Sequence, residues 1–259
     1  MTTNILNNLA DALASAHRTG TSLAVGPWKD VLSDAVQAYR VQDAVGESLG
    51  VFGAKAPQYW KSGGASRDVV LTHAPLPPAG VRDGLARFDD MTFHVPGFEA
   101  EIALRLGRDV TPEQAAALEV DDAHALIDAM AVSIEIVDSR WERNDDAGAA
   151  PALLKLADFQ SHGALALGDW LPYVRKDWST QACEVRIGDR EPIVRTGTHP
   201  MGDPAWLLPI WLRHATRDGK TVAAGTVVTT GSWVGLLPIG QGEAATVTFD
   251  GIGSLQVHL

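Results

Sequence analysis

The sequence predicts an α+β fold: a helical first part, residues 1–50, followed by a β-dominated body, residues 51–259. Three observations carry that expectation. Apolar residues recur twice at helical spacing before residue 50. Beyond it the chain breaks into short apolar runs separated by Gly, Pro and Asp. Regular strand–helix alternation is missing, which argues against a doubly wound parallel sheet.

The first helix is expected over residues 4–18, where Ile5, Leu6, Leu9 and Leu13 share a face. Gly20 and Gly26-Pro27 break the chain. A second helix over 30–49 places Val31, Ala35, Ala38, Val41 and Val45 together, with Asp30 as its N-cap and Gly50 as its stop. QYWKSGG, DVVLTHAPLPPAG and MTFHVPG then read as strands and turns. Thr111-Pro112-Glu113 opens a helix with Pro at its first position, and a further helix is expected around Asp122–Ala131. VSIEIVDSRW is β-rich. From Ser161 onward, GALALG, CEVRIG, PIVRTG, TVVTTGSW, ATVTFDG and LQVHL read as strands around one helix, DPAWLLPIWLRHATRDG.

The formal net charge is −11 over 259 residues. That balance excludes a nucleic-acid backbone or an anionic membrane surface as the main partner. An anionic substrate would need a metal or a few placed cations to reverse the field locally. The one cysteine, Cys183, allows no intrachain disulfide and reads as a structural thiol, which suits a reducing cytoplasm. Neither a leader pattern nor a membrane-length apolar run is present, so a soluble cytoplasmic protein is expected. Trp170, Trp178, Trp206, Trp211 and Trp233 are candidates for the core or a subunit interface.

FEAEIAL, residues 98–104, holds the pattern most informative about function. In a strand, Glu99 and Glu101 point to one face while Phe98, Ala100 and Ile102 point to the other. Two like charges so placed repel unless a cation lies between them. Either this is a solvated face that tolerates them, or they hold something. Glu135 sits between Ile134 and Ile136, in a run too apolar for an unpaired carboxylate. It pairs with Arg140, or it joins Glu99 and Glu101. Three carboxylates suit a hard divalent ion, Mg²⁺ or Mn²⁺, and the lack of Cys–His spacing argues against zinc. Spacing alone leaves both readings open.

Several separated pieces resemble one family. AYRVQDAV (38–45) is similar to a helix motif AYxVQ. YWKSGGAS (59–66) resembles G-(Y/W)-K-(I/V)-G-x-(T/S), and FEAEIALRLGRDV (98–110) resembles E-x-E-I-x-x-x-L-G-x-D-L. SIEIVDSRW (133–141) resembles L-E-I-V-D-S-R. HPMGDPAWL (199–207) and AAGTVVTTGSW (223–233) resemble HPxxxxxWL and A-G-D-x-V-L-T-G-S. The family is that of the 2-keto-4-pentenoate and 2-oxohept-4-ene-dioate hydratases, with their 4-oxalocrotonate decarboxylase relatives, in the fumarylacetoacetate hydrolase superfamily.

The resemblance implies a β-rich roll or sandwich behind a helical part. It implies a homo-oligomer, a small 2-oxo acid substrate and association with a pathway enzyme. Glu99, Glu101 and Glu135 match the metal ligands, for Mg²⁺ or Mn²⁺. Lys61 matches an active-site lysine; without the resemblance it reads as a solvated loop residue. Asp158 and Ser161 match part of a pocket segment D-N-x-S-S-G, Asp158 as a catalytic group, and Thr230 matches a threonine that touches substrate. The activity implied is metal-dependent hydration of a 2-hydroxydienoate or 2-oxo-enoate in aromatic catabolism. Decarboxylation of a 2-oxo acid, hydrolysis of an acylpyruvate C–C bond, and binding without turnover are the alternatives. Hydrolysis needs a base, for which His73, His94 and His162 are candidates. The chain departs from the pattern at Asp158–Gly163, which reads DFQSHG, at Ala224-Gly225-Thr226, and in the link after Lys61, where Asp68 stands in an acid/base region.

Overall fold

The computed structural model describes residues 2–54, 56–142 and 150–259. Two helices lead, α1 (Thr2–Thr19) and α2 (Ala35–Leu49). Then come β1 (Tyr59–Gly63), β2 (Thr72–Pro75), β3 (Val81–Asp83), β4 (Ala86–Arg87) and the long β5 (Gly97–Leu106). Short helices α3 (Pro112–Ala117) and α4 (Val120–Ala123) precede β6 (Ile127–Val137), and α5 (Ala152–Ala157) follows it. The rest is β7 (His162–Leu167), β8 (Leu171–Pro172), β9 (Ala182–Ile187), β10 (Ile193–Thr196), α6 (Leu208–Ala215), β11 (Val227–Thr229), β12 (Leu237–Pro238), β13 (Ala244–Phe249) and β14 (Gly253–His258). Among the described residues no helix is long and apolar enough to cross a membrane.

Nine strands form one sheet in the order β2-β1-β11-β5-β6-β7-β3, with β12 also on β5 and β8 also on β6. Five form a second, β10-β9-β13-β14-β4. Phe98, Ile102, Leu104, Ile134 and Ile136 from the large sheet close on Cys183, Val185, Val247, Phe249 and Val257 from the small one. Buried Trp178, Trp211 and Trp233 share that core, and Trp206 is half-buried against it. Cys183 is fully buried there, and burial pushes its thiol up to about 12, so it is an inert packing group. The mixed α+β layering is the one expected.

α1 and α2 pack their apolar faces on each other and on α5, with Leu9, Leu13, Val41 and Val45 meeting Leu154, Leu156 and Phe159. Residue 50 therefore ends the leading helices, while their apolar cluster draws on the later chain. The N-cap of α2 is Asp34, whose carboxylate accepts from the Gln37 amide, so the helix begins four residues later than Asp30 would place it. Gly50 closes it at φ 66°, a left-handed position that glycine adopts without strain.

Two expected elements differ. The helix placed at Asp122–Ala131 ends at Ala123, runs one 3₁₀ turn to Leu126 and becomes β6 at Ile127. Pairing with β5 overrides the helix-forming composition there, since tertiary burial outweighs local propensity. MTFHVPG forms no strand of its own, and only its Gly97 joins β5. The amides of His94 and Val95 donate to the Asp138 carboxylate at 2.8–3.1 Å, so a side chain takes the place of a neighbouring strand.

Candidate metal centre

The site lies on one face of the large sheet and spans adjacent strands. β5 and β6 pair with Glu99 opposite Glu135 and Glu101 opposite Ser133. Period-2 alternation buries Phe98, Ala100 and Ile102 in the core and turns Glu99 and Glu101 to the other side. One carboxylate oxygen from each of Glu99, Glu101 and Glu135 lies within 4.8 Å of the others. Glu99 is half-buried; Glu101 and Glu135 are 3% and 0% exposed. On the far side of β11, β1 carries Lys61 onto the same face, because Lys61 pairs with Thr229 and Thr229 with Ala103.

Lys61 Nζ donates to Glu135 Oε1 at 2.6 Å and to the Gln160 carbonyl at 3.3 Å. His162 Nδ1 lies 3.0 Å from the same Oε1. Burial alone would raise the Glu135 carboxyl, but the Lys61 charge and the His162 contact outweigh it and hold it below its ordinary value. Burial would likewise lower the Lys61 ammonium, and Glu135 and Glu99 hold it high instead. The other two carboxylates go the opposite way. Burial, with Glu135 charged beside it, raises Glu99, and burial with Glu135 and Glu99 pushes Glu101 up to about 8. Glu101 Oε2 accepts from the Thr229 hydroxyl and, at 2.9 Å, from the Gly231 amide.

The expected partner of Glu135, Arg140, is elsewhere. Its guanidinium bonds Asp138 Oδ2 at 2.7 Å and the Asp138 carbonyl at 2.6 Å. Lys61 and His162 take its place at Glu135. Lys61 is thus a strand residue with a buried charged partner, in contrast to the solvated loop reading.

Two hollows of about 290 and 330 Å³ flank the carboxylates and share Lys61, Glu99 and Gln160. Val95, Val137, Trp141 and Leu236 line the first, with Ser139, Lys155 and Ser161. Gln160 reaches this wall through an uncommon turn. Phe159, Gln160 and Ser161 have φ of 46°, 54° and 59°, three successive left-handed residues without glycine. Such residues cost about 1–3 kcal/mol each and persist where surrounding structure holds them. Gln160 Oε1 and Ser161 Oγ, from two residues that line this wall, are buried with no partner among the described residues, as is Glu135 Oε2.

The remaining sequence candidates divide. Ser161 lines the hollow. Asp158 does not: 1% exposed, its carboxylate is taken by His17 Nε2 at 2.8 Å, the Arg140 amide at 2.7 Å and Ser139 Oγ at 3.3 Å. It anchors α1 to the chain following β6, a holding role in place of the chemical one. Thr230 also faces away, with its hydroxyl bonding the Ile102 carbonyl at 2.7 Å. Its neighbour Thr229 is the one at the carboxylates. Asp68 is exposed and lines neither hollow. His73 is buried against Ser62 at 2.8 Å, and His94 touches Asp138 through its backbone only. Thr229, Gln160 and His162 carry no motif of their own. Only the strand parity of TVVTTG bears on Thr229, and the sequence does not state which threonine faces which side.

The donor set fits a hard divalent cation. It is all oxygen, it converges, and one of its oxygens, Glu135 Oε2, is buried without a partner. Three carboxylates and one ammonium sum to −2 when ionised, which a divalent ion neutralises.

Known proteins resemble this chain at several levels. "2-keto-4-pentenoate hydratase 1" of Dechloromonas aromatica is 30% identical over 166 residues, 62% of this chain. The match spans only 59% of that relative's length. "TodF product hydratase" of Pseudomonas putida F1 is 28% identical over 98% of this chain and 94% of its own. Among solved structures, a 4-oxalocrotonate decarboxylase from Pseudomonas putida G7, complexed with magnesium and adipate, superposes with a TM-score of 0.85 at 19% identity. That match covers 100% of this chain and 98% of the other, a likeness of fold. Residues 74–259, most of the chain, match the family model described as fumarylacetoacetate (FAA) hydrolase C-terminal, and the chain belongs to that family.

Proposed function

We propose that this protein is a divalent-metal-dependent hydratase that adds water to a 2-hydroxydienoate or its 2-oxo-enoate tautomer. The convergence of Glu99, Glu101 and Glu135 beside Lys61, with Glu99 and Lys61 lining a hollow open to solvent, carries the reading. The hydratase names of its relatives support it. Glu99, Glu101 and Glu135 hold Mg²⁺ or Mn²⁺. When bound, the ion supplies Lewis-acid polarisation of a 2-oxo acid and turns an acidic site into one that accepts an anion.

The chain's own residues do the rest. Lys61 faces the substrate carboxylate with a fixed positive charge and aligns it. Ser161 Oγ and Gln160 Oε1, both unpartnered at the wall, bond the substrate or the incoming water. Val95, Val137, Trp141 and Leu236 offer an apolar surface to the hydrocarbon part. In the reaction, the dienol is reprotonated to the unsaturated ketone and water then adds to the remaining double bond.

The test is loss of dienoate absorbance with 2-hydroxypenta-2,4-dienoate as substrate. Activity is expected with Mg²⁺ or Mn²⁺, and not after chelation or in Glu135→Ala. Full activity in the chelated protein would overturn the reading. Release of CO₂ from a 2-oxo diacid, without hydration of any dienoate, would select decarboxylation in its place.

A further inference from the structure

We propose that His162 is a positioning residue for Glu135, holding one carboxylate oxygen so that the other alone is offered to the ion. This rests on the metal reading above. The observation is an asymmetry in how Glu135 is bonded. Oε1 receives both Lys61 Nζ at 2.6 Å and His162 Nδ1 at 3.0 Å, while Oε2, equally buried, receives nothing among the described residues. The Glu135 and His162 side chains are 0% and 3% exposed, so water does not even out the difference.

The tautomer follows from the partner. A carboxylate oxygen only accepts, so Nδ1 carries the proton and Nε2 keeps its lone pair. Nε2 has no partner among the described residues and faces Gly80, where an added Cβ would lie 3.9 Å from it. The ring therefore makes its one hydrogen bond to Glu135.

Its placement is built into the backbone. The left-handed run Phe159–Ser161 delivers His162 to the start of β7, where the register with β6 shifts between Ile136 and Val137. Gly163 lets β7 pass there, because a Cβ on it would meet the Ile136 carbonyl at 2.7 Å. Two donors on one oxygen draw charge to it and fix the carboxylate plane. Oε2 is then the oxygen left free for an ion held with Glu99 and Glu101, and the carboxylate is kept from turning to chelate through both oxygens. Serine stands at this position in the resembling segment D-N-x-S-S-G, and its shorter side chain has no ring nitrogen to extend to Glu135.

The test is Mn²⁺ titration of the metal-free full chain by calorimetry, for wild type, His162→Ala, His162→Asn and His162→Gln. The Asn amide nitrogen occupies the place of Nδ1, whereas the Gln amide lies one methylene further out. Affinity is expected to fall about 10–100-fold in the Ala and Gln variants, the usual cost of losing a group that orients a ligand. His162→Asn should retain wild-type affinity. Unchanged binding in His162→Ala overturns the inference, as does an equal loss in Asn and Gln, which would mark a space-filling role. Wild-type protein that takes up no Mn²⁺ would overturn the metal reading, and this inference with it.

Discussion

At the scale of single residues, the two adjacent threonines of TVVTTG separate what touches the carboxylates from what holds the strand. Thr229 donates to Glu101 and also lies 3.1 Å from Ser133 Oγ; Thr230 bonds the Ile102 backbone. Thr229→Val is expected to weaken Mn²⁺ binding, because a buried ligand loses its donor. Thr230→Val should leave that affinity unchanged and cost about 1 kcal/mol of stability for one lost hydrogen bond. Paired calorimetric titrations and melts check both. The glutamate pair was legible because strand period alone sets both side chains on one face. The partners of Glu135 were not. Arg140 is the nearest cation in sequence, but Lys61 and His162 reach it across the sheet from 74 and 27 residues away. Cross-strand neighbours are set by register, which one strand's sequence does not contain.

At the scale of elements, the site depends on how β6, the turn 159–161 and β7 are joined. The register shift and the left-handed turn bring Gln160 and His162 to Lys61 and Glu135. Gly163→Ala should cost about 1–3 kcal/mol through overpacking against backbone that has no room to move. Urea denaturation of the two proteins measures it. The sequence marked Asp158–Gly163 as a departure from its relatives and stopped there, since Phe159, Gln160 and Ser161 give no glycine signal for a left-handed path. The shortened α4 has a similar cause: Ala-rich composition favours helix locally, while pairing of Ile127–Val137 with β5 decides.

At the scale of the whole molecule, the α+β layering was readable because hydrophobic period changes at residue 50 and stays strand-like for most of the remainder. Strand order was not readable, since β11 inserts between β1 and β5 from far along the chain. The fold also sets an acid limit. Burial lowers His73 to about 3 and His199 to about 4, from 6.5. Above pH 6.5 both are neutral folded or unfolded, and neither costs stability. Below it the unfolded chain takes up protons that the folded chain refuses, so stability falls with pH until the folded values are passed. By pH 5 this amounts to on the order of 2 kcal/mol for each. Glu101, raised to about 8, works the other way over this range, so the histidine contribution is read as a difference: between pH 7 and pH 5 the melting temperature of His73→Asn should gain on that of the wild type. The central claim is that Glu99, Glu101 and Glu135 together hold a divalent ion that receives a 2-oxo acid. Anomalous diffraction from crystals grown with Mn²⁺ and a 2-oxo acid tests it most directly. One manganese peak among the three carboxylates, with the 2-oxo acid between it and Lys61, is the predicted result. Manganese elsewhere, or an empty carboxylate cluster at saturating Mn²⁺, would contradict the account.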